Sequence, residues 1–308
     1  MKTLHPSEVP TIDFNDLSSH NSETSSLIVA KTIHQACQEM GFFQIINHGI
    51  SKRAIEDAFD TLGKFFALPS EENKQFLSDD VHKPVRFVND SQNSRDFLKL
   101  YAHPIEDWID SWPNNPADFR DKVGNYAKEV RKLGIDIIGA IMESLGLAPN
   151  YLRDKLEKGM QMIVVNSYEQ CSPSTNIIGA SPHTDHSIIT ILLENTFGLE
   201  VLDLKDNEWK IVPAAMEDAL IVLVGDHLEL LSNGLYKSVF HRVVRSSRNS
   251  RISIGSFQSL AMRNMVEPAV ELVDKDYNPK RYGASSLEEY IKYLASHEAK
   301  PYVESLKI

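Results

Sequence analysis

The sequence predicts a mostly β core flanked by helices, carried by a chain of 308 residues. Three observations lead there. From about Gln161 onward, short β-rich runs recur with turn residues between them, the texture of a sandwich or barrel rather than of βαβ units. Ahead of that point, apolar residues recur at spacings of three and four, which is a helical period. After the last β-rich run the pattern turns helical again, where Ser286 and Glu289 stand as a capping box before EYIKYLASH.

Taken in order, VPTIDF (9–14) alternates weakly and reads as a strand. Ser22–Met40 reads as a helix, with Leu27, Ala30, Ile33, Cys37 and Met40 on its apolar side and Gly41 stopping it. FFQII (42–46) is a strand, turned by Asn47-His48-Gly49. A second helix spans about Lys52–Phe66, and Ser70 is placed to cap a short third one with Glu71 and Glu72 in its first turn. Residues 78–118 read as irregular, interrupted by Pro84, Pro104, Pro113 and Pro116. They nevertheless hold Phe87, Phe97, Tyr101, Trp108 and Trp112, too many aromatics for a free linker, so they are expected to lie folded against the core. Ala117–Leu145 reads as a long support helix, roughly 40 Å at 1.5 Å per residue. Phe119, Val123, Tyr126, Val130, Leu133, Ile137 and Ile141 form its stripe, and Gly146 and Pro149 end it. The β-rich runs are 161–168, 187–193, 199–203, 208–212, 219–224, 237–244 and 251–257, with Lys205-Asp206-Asn207 as a hairpin turn. The expected division is an N-terminal region packing on the core (1–118), the support helix and its connection (119–157), the β core (158–265) and a helical tail (266–308).

Composition narrows the function. A net charge of −11 argues against nucleic acid or an anionic membrane as the main partner, since both demand a basic face. The two cysteines, Cys37 and Cys171, make neither a disulfide framework nor a CxxC zinc site, which fits a reducing compartment. MKTLHPSEVP lacks the apolar region of a secretory signal, and ALIVLV (219–224) is too short to span a bilayer. A cytoplasmic, monomeric protein acting on a small molecule is expected.

SPHTDHSIIT (181–190) places two histidines and an aspartate inside an apolar run. If the run is a strand, His183 and Asp185 project to the same side, and an imidazole beside a carboxylate suits a divalent ion. Alone, the pair is a chance match or a solvated loop. KSVFHRVV then offers His241 as a third ligand, and two histidines with one carboxylate are the arrangement of non-haem iron(II) oxygenases. His186 faces away from Asp185 if the strand continues, which excludes it. His227 reads as a structural residue at a strand end. In RISIGSF, Arg251 and Ser253 share a face that Gly255 and Phe257 continue. An inward arginine needs a carboxylate partner, either a ligand's or, at the rim, a protein acid's. Asn166 and Tyr168 share a face in the same way, and a core tyrosine with a satisfied hydroxyl is the plainer reading of that pair.

With these residues in place, the chain resembles the plant-type iron(II)/2-oxoglutarate-dependent dioxygenases. The resemblance runs through PTIDF, ACQEMGFFQIINHGIS, NSY, SPHTDHSIITILL, GLEVL, VGDHLELLSNGLYKSVFHRVV and RISIGSF. DFLKLYAHPIEDWIDSWPNNPADFR is similar to the flavonoid-oxidising and salicylate-hydroxylating branch. The resemblance implies a double-stranded β-helix (jelly-roll) with helices outside it. It implies His183, Asp185 and His241 as Fe(II) ligands, with Arg251 and Ser253 on the distal carboxylate of 2-oxoglutarate and Tyr168 and Asn166 toward its other end. It implies O2 as oxidant, ascorbate as a stimulant, and Phe257, Phe97, Lys99, Arg86 and Phe87 around the substrate. His186 replaces the usual proline after the metal motif, and Val164 stands where flavonoid-oxidising members can carry a lysine. The expected reaction is hydroxylation, desaturation or O-demethylation of a phenolic or flavonoid-type aromatic, with alkaloids, terpenoids and hormones as alternatives. A zinc hydrolase leaves Arg251 and Ser253 unexplained, and a non-catalytic binding module leaves no reason for triad and clamp together.

Overall fold

The computed structural model describes residues 2–18, 23–91, 94–171, 178–213, 219–246, 249–296 and 300–308. The chain opens with β1 (Lys2–Thr3), β2 (Thr11–Asp13), α1 (Phe14–Ser18), α2 (Glu23–Glu39) and β3 (Phe42–Ile46). The Ser22 start expected for α2 lies outside the described residues. Gly41 closes that helix with φ at 72°, the left-handed conformation in which a side chain would be strained. α3 (Lys52–Phe66) begins at Ser51, whose side chain accepts from the Ala54 amide. α4 (Ser70–Asn73) starts one residue earlier than expected: Pro69 holds the cap position without a side-chain bond, and Ser70 is the first helical residue.

The expectation of an irregular 78–118 is overturned. β4 (Val85–Asp90) and β5 (Arg95–His103) form an antiparallel hairpin, followed by α5 (Ile105–Trp108). Polar and charged residues on one face of β5 hid its period. Leu98, Leu100 and Ala102 are buried on the other face. Consequently the core sheet is not confined to 158–265, because β2 to β5 belong to it. α6 (Phe119–Ser144) follows, and its predicted stripe from Phe119 to Ile141 is buried at every position named. α7 (Arg153–Glu157) leads into β6 (Met160–Tyr168), β7 (Ile178–His183), β8 (Ile189–Glu194), β9 (Leu199–Leu202), β10 (Trp209–Ile211) and β11 (Leu220–Val224). α8 (Asp226–Leu231) was not anticipated. It places His227 on a buried helix rather than at a strand end. β12 (His241–Val244) occupies only the second half of 237–244, and β13 (Arg251–Ser259), α9 (Leu287–Ala295) and α10 (Tyr302–Ser305) complete the chain. Ser286 and Glu289 form the expected capping box on α9.

Two sheets face one another as a jelly-roll. The larger has the order β2-β3-β11-β8-β13-β6-β5-β4, the smaller β1-β10-β9-β12-β7. The outer face of the larger sheet packs on α2, α3 and α6 through one apolar cluster that includes Ile33, Leu62, Phe119, Ile137, Leu98, Ile163 and Ile254. Its inner face looks into the barrel. The register aligns Arg95 with Tyr168 and Tyr168 with Arg251, then Phe97 with Asn166 and Asn166 with Ser253, then Lys99 with Val164 and Val164 with Gly255. Side chains of alternate residues therefore form rows across three strands, all facing inward.

Phe65 sits at the centre of the helical layer, in ring contact with Phe66, Phe76, Phe87 and Phe119 at centroid distances of 5.5, 6.5, 5.9 and 5.5 Å. Replacing this fully buried ring by alanine is expected to destabilise the fold by about 3–5 kcal/mol. Urea unfolding should show this as a lower midpoint at unchanged slope.

Candidate active site

His183 ends β7 and His241 begins β12, and the two residues are directly paired in the sheet. Their rings lie 4.3 Å apart by centroid. Asp185 does not sit on a strand, so the alternation argument that joined it to His183 fails in its mechanism. β7 stops at His183, and the following turn swings Asp185 back to the paired imidazoles. Asp185 Oδ1 lies 3.8 Å from the Nε2 atoms of both His183 and His241. Nδ1 of His183 donates to the Ser181 carbonyl at 2.7 Å, and Nδ1 of His241 donates to the Val239 carbonyl at 3.0 Å. Carbonyls only accept, so each bond leaves Nε2, the ring nitrogen near the Asp185 carboxylate, with a free lone pair. Surrounding protein, and then the neighbouring His241, hold the His183 imidazole below its ordinary pKa, favouring the neutral form that ligates metals. One ligand atom from each residue lies within 4.8 Å of the others, the only such group of three found among the described residues. This donor set fits a divalent ion, with positions left open on the cavity side.

Asp226, the first residue of α8, holds the metal-ligand turn from behind. Its amide donates to the Asp185 carbonyl at 2.7 Å, and its carboxylate accepts from Thr184 at 3.2 Å and Ser238 at 2.6 Å. Burial raises its pKa to about 7, against the lowering effect of those two hydroxyls. Gly225 is required beside it, since a Cβ there would lie 2.0 Å from the Ser187 carbonyl oxygen. Sequence reasoning missed Asp226 as a positioning residue. The only local signal was its place after the apolar run of β11.

Two cavities meet at the His-Asp-His group. The inner one, about 90 Å³, is lined by Arg251, Ser253, Tyr168 and Asn166 among others. The outer one, about 220 Å³, is lined by Arg86, Arg95, Lys99, Met162, Val164, His186 and Tyr290, with further residues of α9. His183, Asp185, Arg95, Val164 and Phe257 line both. Arg251 is buried rather than at a rim, and it already has a protein carboxylate. Its Nη2 donates to Glu194 at 2.6 Å, its Nε to the Thr196 carbonyl at 3.3 Å and its Nη1 to Ser253 at 3.0 Å. Asn166 accepts from Arg95 Nε at 2.9 Å.

Of the residues expected around a substrate, Phe257, Lys99 and Arg86 do line the outer cavity. Phe87 does not: it points to the opposite face of β4 and packs on Phe65 and Phe66 in the helical core. Strand alternation explains this, because Arg86 and Phe87 are neighbours and must face opposite ways. Phe97 shares the inward face of β5 but lines neither cavity, with the Arg86 and Arg95 guanidinium groups over its ring at 5.4 and 4.7 Å. Arg95 was missed, although its even spacing from Phe97 (two residues) and Lys99 (four) was the signal for it. His186, excluded as a ligand, is stacked between Tyr290 and Phe257 at 4.2 and 5.5 Å.

A two-histidine, one-carboxylate face at one end of a jelly-roll defines a non-haem iron oxygenase. Comparison with known proteins agrees. Residues 159–259 match the 2OG-Fe(II) oxygenase superfamily, and residues 9–116 match the non-haem dioxygenase in morphine synthesis N-terminal family. The chain is 41% identical over 310 residues to 2-oxoglutarate-dependent dioxygenase 21, chloroplastic, of Oryza sativa subsp. japonica, covering 98% of this chain and 92% of that protein. It is 39% identical to flavanone 3-dioxygenase 3 of the same organism, covering 99% and 95%. The crystal structure of JOX2 in complex with 2OG, Fe and JA superposes with a TM-score of 0.85 at 28% identity, covering 97% of this chain and 89% of that one. The chain belongs to the 2OG-Fe(II) oxygenase superfamily; it is a 2-oxoglutarate-dependent dioxygenase whose cofactors are Fe(II) and 2-oxoglutarate.

Asp185→Ala is expected to abolish stoichiometric Fe(II) binding, and Asp226→Ala to weaken it by about tenfold to a hundredfold by freeing the turn. Anaerobic Fe(II) titration followed by calorimetry measures both, without reference to turnover.

Proposed function

We propose that His183, Asp185 and His241 hold the iron, that Arg251 and Ser253 anchor 2-oxoglutarate in the inner cavity, and that a small aromatic of phenolic or flavonoid type is oxidised in the outer one. The observation that carries this reading is the position of the His-Asp-His group at the junction of two cavities of different character. Among apolar residues such as Leu192, Leu223 and Val243, the inner cavity presents the guanidinium groups of Arg251 and Arg95 and the hydrogen-bonding groups of Ser253, Tyr168 and Asn166, partners suited to a dicarboxylate. The outer cavity presents the faces of Phe257 and Tyr290 and the side chains of Val164, Met162 and Ile291, surfaces suited to a ring. Similarity to a flavanone 3-dioxygenase supports the same substrate class.

When bound, iron with 2-oxoglutarate and O2 supplies the oxidising power, the cosubstrate being decarboxylated to succinate. The chain's own contribution is placement. Glu194 and the Thr196 carbonyl fix the plane of the Arg251 guanidinium, leaving Nη1 and the Ser253 hydroxyl together at the cavity. Tyr168 closes the far side beneath that guanidinium, 5.3 Å from its ring centroid. Asn166 keeps its amide nitrogen available while its oxygen is engaged by Arg95. Val164 and Phe257, shared by both cavities, set how near a substrate C–H bond comes to the metal, and that distance selects the oxidation outcome. The two cysteines are buried and unpaired, which supports action in a reducing compartment such as the cytoplasm. Among the described residues no helix is long and apolar enough to cross a membrane.

Arg251→Ala should raise the 2-oxoglutarate KM by about tenfold to a hundredfold, the loss of a charge-assisted hydrogen bond. Since that change strands the buried Glu194, the Arg251→Ala/Glu194→Gln double variant separates lost affinity from lost folding. Succinate release screened over aromatic metabolites, with product mass recorded, tests the substrate class. Release stimulated only by non-aromatic compounds would refute it.

A further inference from the structure

The outer cavity has a charge opposite to that of the whole protein. The chain carries a net −11, yet this cavity is lined by three cations, Arg86, Arg95 and Lys99. Its one carboxylate is Asp185, which belongs to the metal. Sheet geometry builds this wall: Arg86 of β4 is paired directly with Lys99 of β5, and Arg95 lies on the same face of β5 at an even spacing.

The three cations are held by neutral groups. Lys99 is 9% exposed, its Nζ donates to the Val81 carbonyl at 2.6 Å, and it lies 4.9 Å from the Tyr101 ring centroid. Arg86 Nε donates to the Ser78 carbonyl at 2.8 Å, and Arg95 is bonded to Asn166. Among the described residues no carboxylate forms an ion pair with any of them. Asp79 and Asp80 act on Arg86, and Asp80 on Lys99, only from a distance. Lys99 is buried and Arg86 and Arg95 are half-buried, and gathering such cations without a counterion is unfavourable. Lys99 registers it, since burial and then Arg86 lower its pKa to about 8. Packing alone offers no reason to gather them here, because an apolar residue would fill the same wall at lower cost.

We propose that the Arg86–Lys99 wall, with Arg95 at its inner edge, is an anion-recognition site, and that the preferred substrate is a small aromatic carboxylate. This deepens the aromatic-oxygenase reading above and rests on it. The carboxylate lies against Lys99 and Arg86, where an ammonium and a guanidinium converge on one side of the cavity. The ring then lies toward Phe257 and Tyr290, on the metal side. Cavities for drug-sized ligands run to roughly 300–1,000 Å³. A cavity of about 220 Å³ therefore favours an acid of one or two rings over a larger glycosylated or polycyclic molecule.

The test uses hydroxybenzoic and hydroxycinnamic acids, each beside its methyl ester and its amide. Binding to the Fe(II)- and 2-oxoglutarate-loaded enzyme is read by anaerobic calorimetry, so the answer does not depend on turnover. At least one acid should bind about tenfold or more tightly than its ester and amide. Lys99→Met and Arg86→Gln should each erase that difference by weakening the acid alone, while Lys99→Arg retains it. Equal affinity for acid and ester overturns the proposal. So does a Lys99→Met loss that falls alike on acid, ester and amide, since that marks a packing role; no binding of any acid overturns it as well. Succinate release separates the two levels of the argument. Stimulation by neutral phenols or esters but not by acids removes the anion site and leaves the aromatic oxygenase standing. No stimulation by any aromatic removes both.

Discussion

Everything at this site depends on one sheet contact, the pairing of His183 with His241 at the adjoining ends of β7 and β12. A strand pair places the Cβ atoms of opposed residues about 5 Å apart. That is near enough for two imidazoles to share an ion without long side chains having to be ordered for the purpose. The main-chain carbonyls of Ser181 and Val239, each two residues before its histidine, then fix both rings in the same tautomer. The third ligand arrives by a different route: the chain leaves the sheet after His183, and Asp226 and Gly225 hold the resulting turn against the start of α8. Sheet pairing and turn together convert two distant segments into one coordination face.

The barrel interior organises the rest by rows. Arg95, Tyr168 and Arg251 form one row, Phe97, Asn166 and Ser253 the next, Lys99, Val164 and Gly255 the third. Moving from the first row to the third passes from the smaller, inner cavity toward the larger, outer one. Val164 and Gly255 leave space where the two meet, and a Cβ at position 255 would already press on Phe257 at 3.1 Å. The sheet thus sorts side chains by function through register alone.

Much of this was legible in the sequence, and the failures have definite causes. Strand alternation correctly grouped Asn166 with Tyr168 and Arg251 with Ser253, because β6 and β13 are regular over their whole lengths. The same rule joined His183 to Asp185 for the wrong reason, since the strand had already ended. β4 and β5 were hidden because the face they turn inward carries cations and polar groups, which imitates a loop. α8 was hidden because all six of its residues are buried, so it shows no amphipathic period. Phe87 was placed at the cavity together with Arg86 on the strength of the family resemblance, although adjacent strand residues diverge. Arg95 and Tyr290 needed the fold: one is recognisable only once β5 is known to line the barrel, the other only once α9 is seen to reach it.

That last helix carries a consequence of its own. Tyr290 stacks on His186, whose neighbour in the chain is the ligand Asp185, and the same aromatic ring borders a further hollow of about 250 Å³ beside Pro301 and Tyr302. The orientation of α9 is set at its start by the reciprocal bonds of Ser286 and Glu289, far from the chemistry. The C-terminal segment therefore supplies one wall of the outer cavity through Tyr290, Ile291 and Leu294. Sequence change in that short region would alter one wall of the outer cavity without replacing any of the three His-Asp-His side chains, which lie outside it.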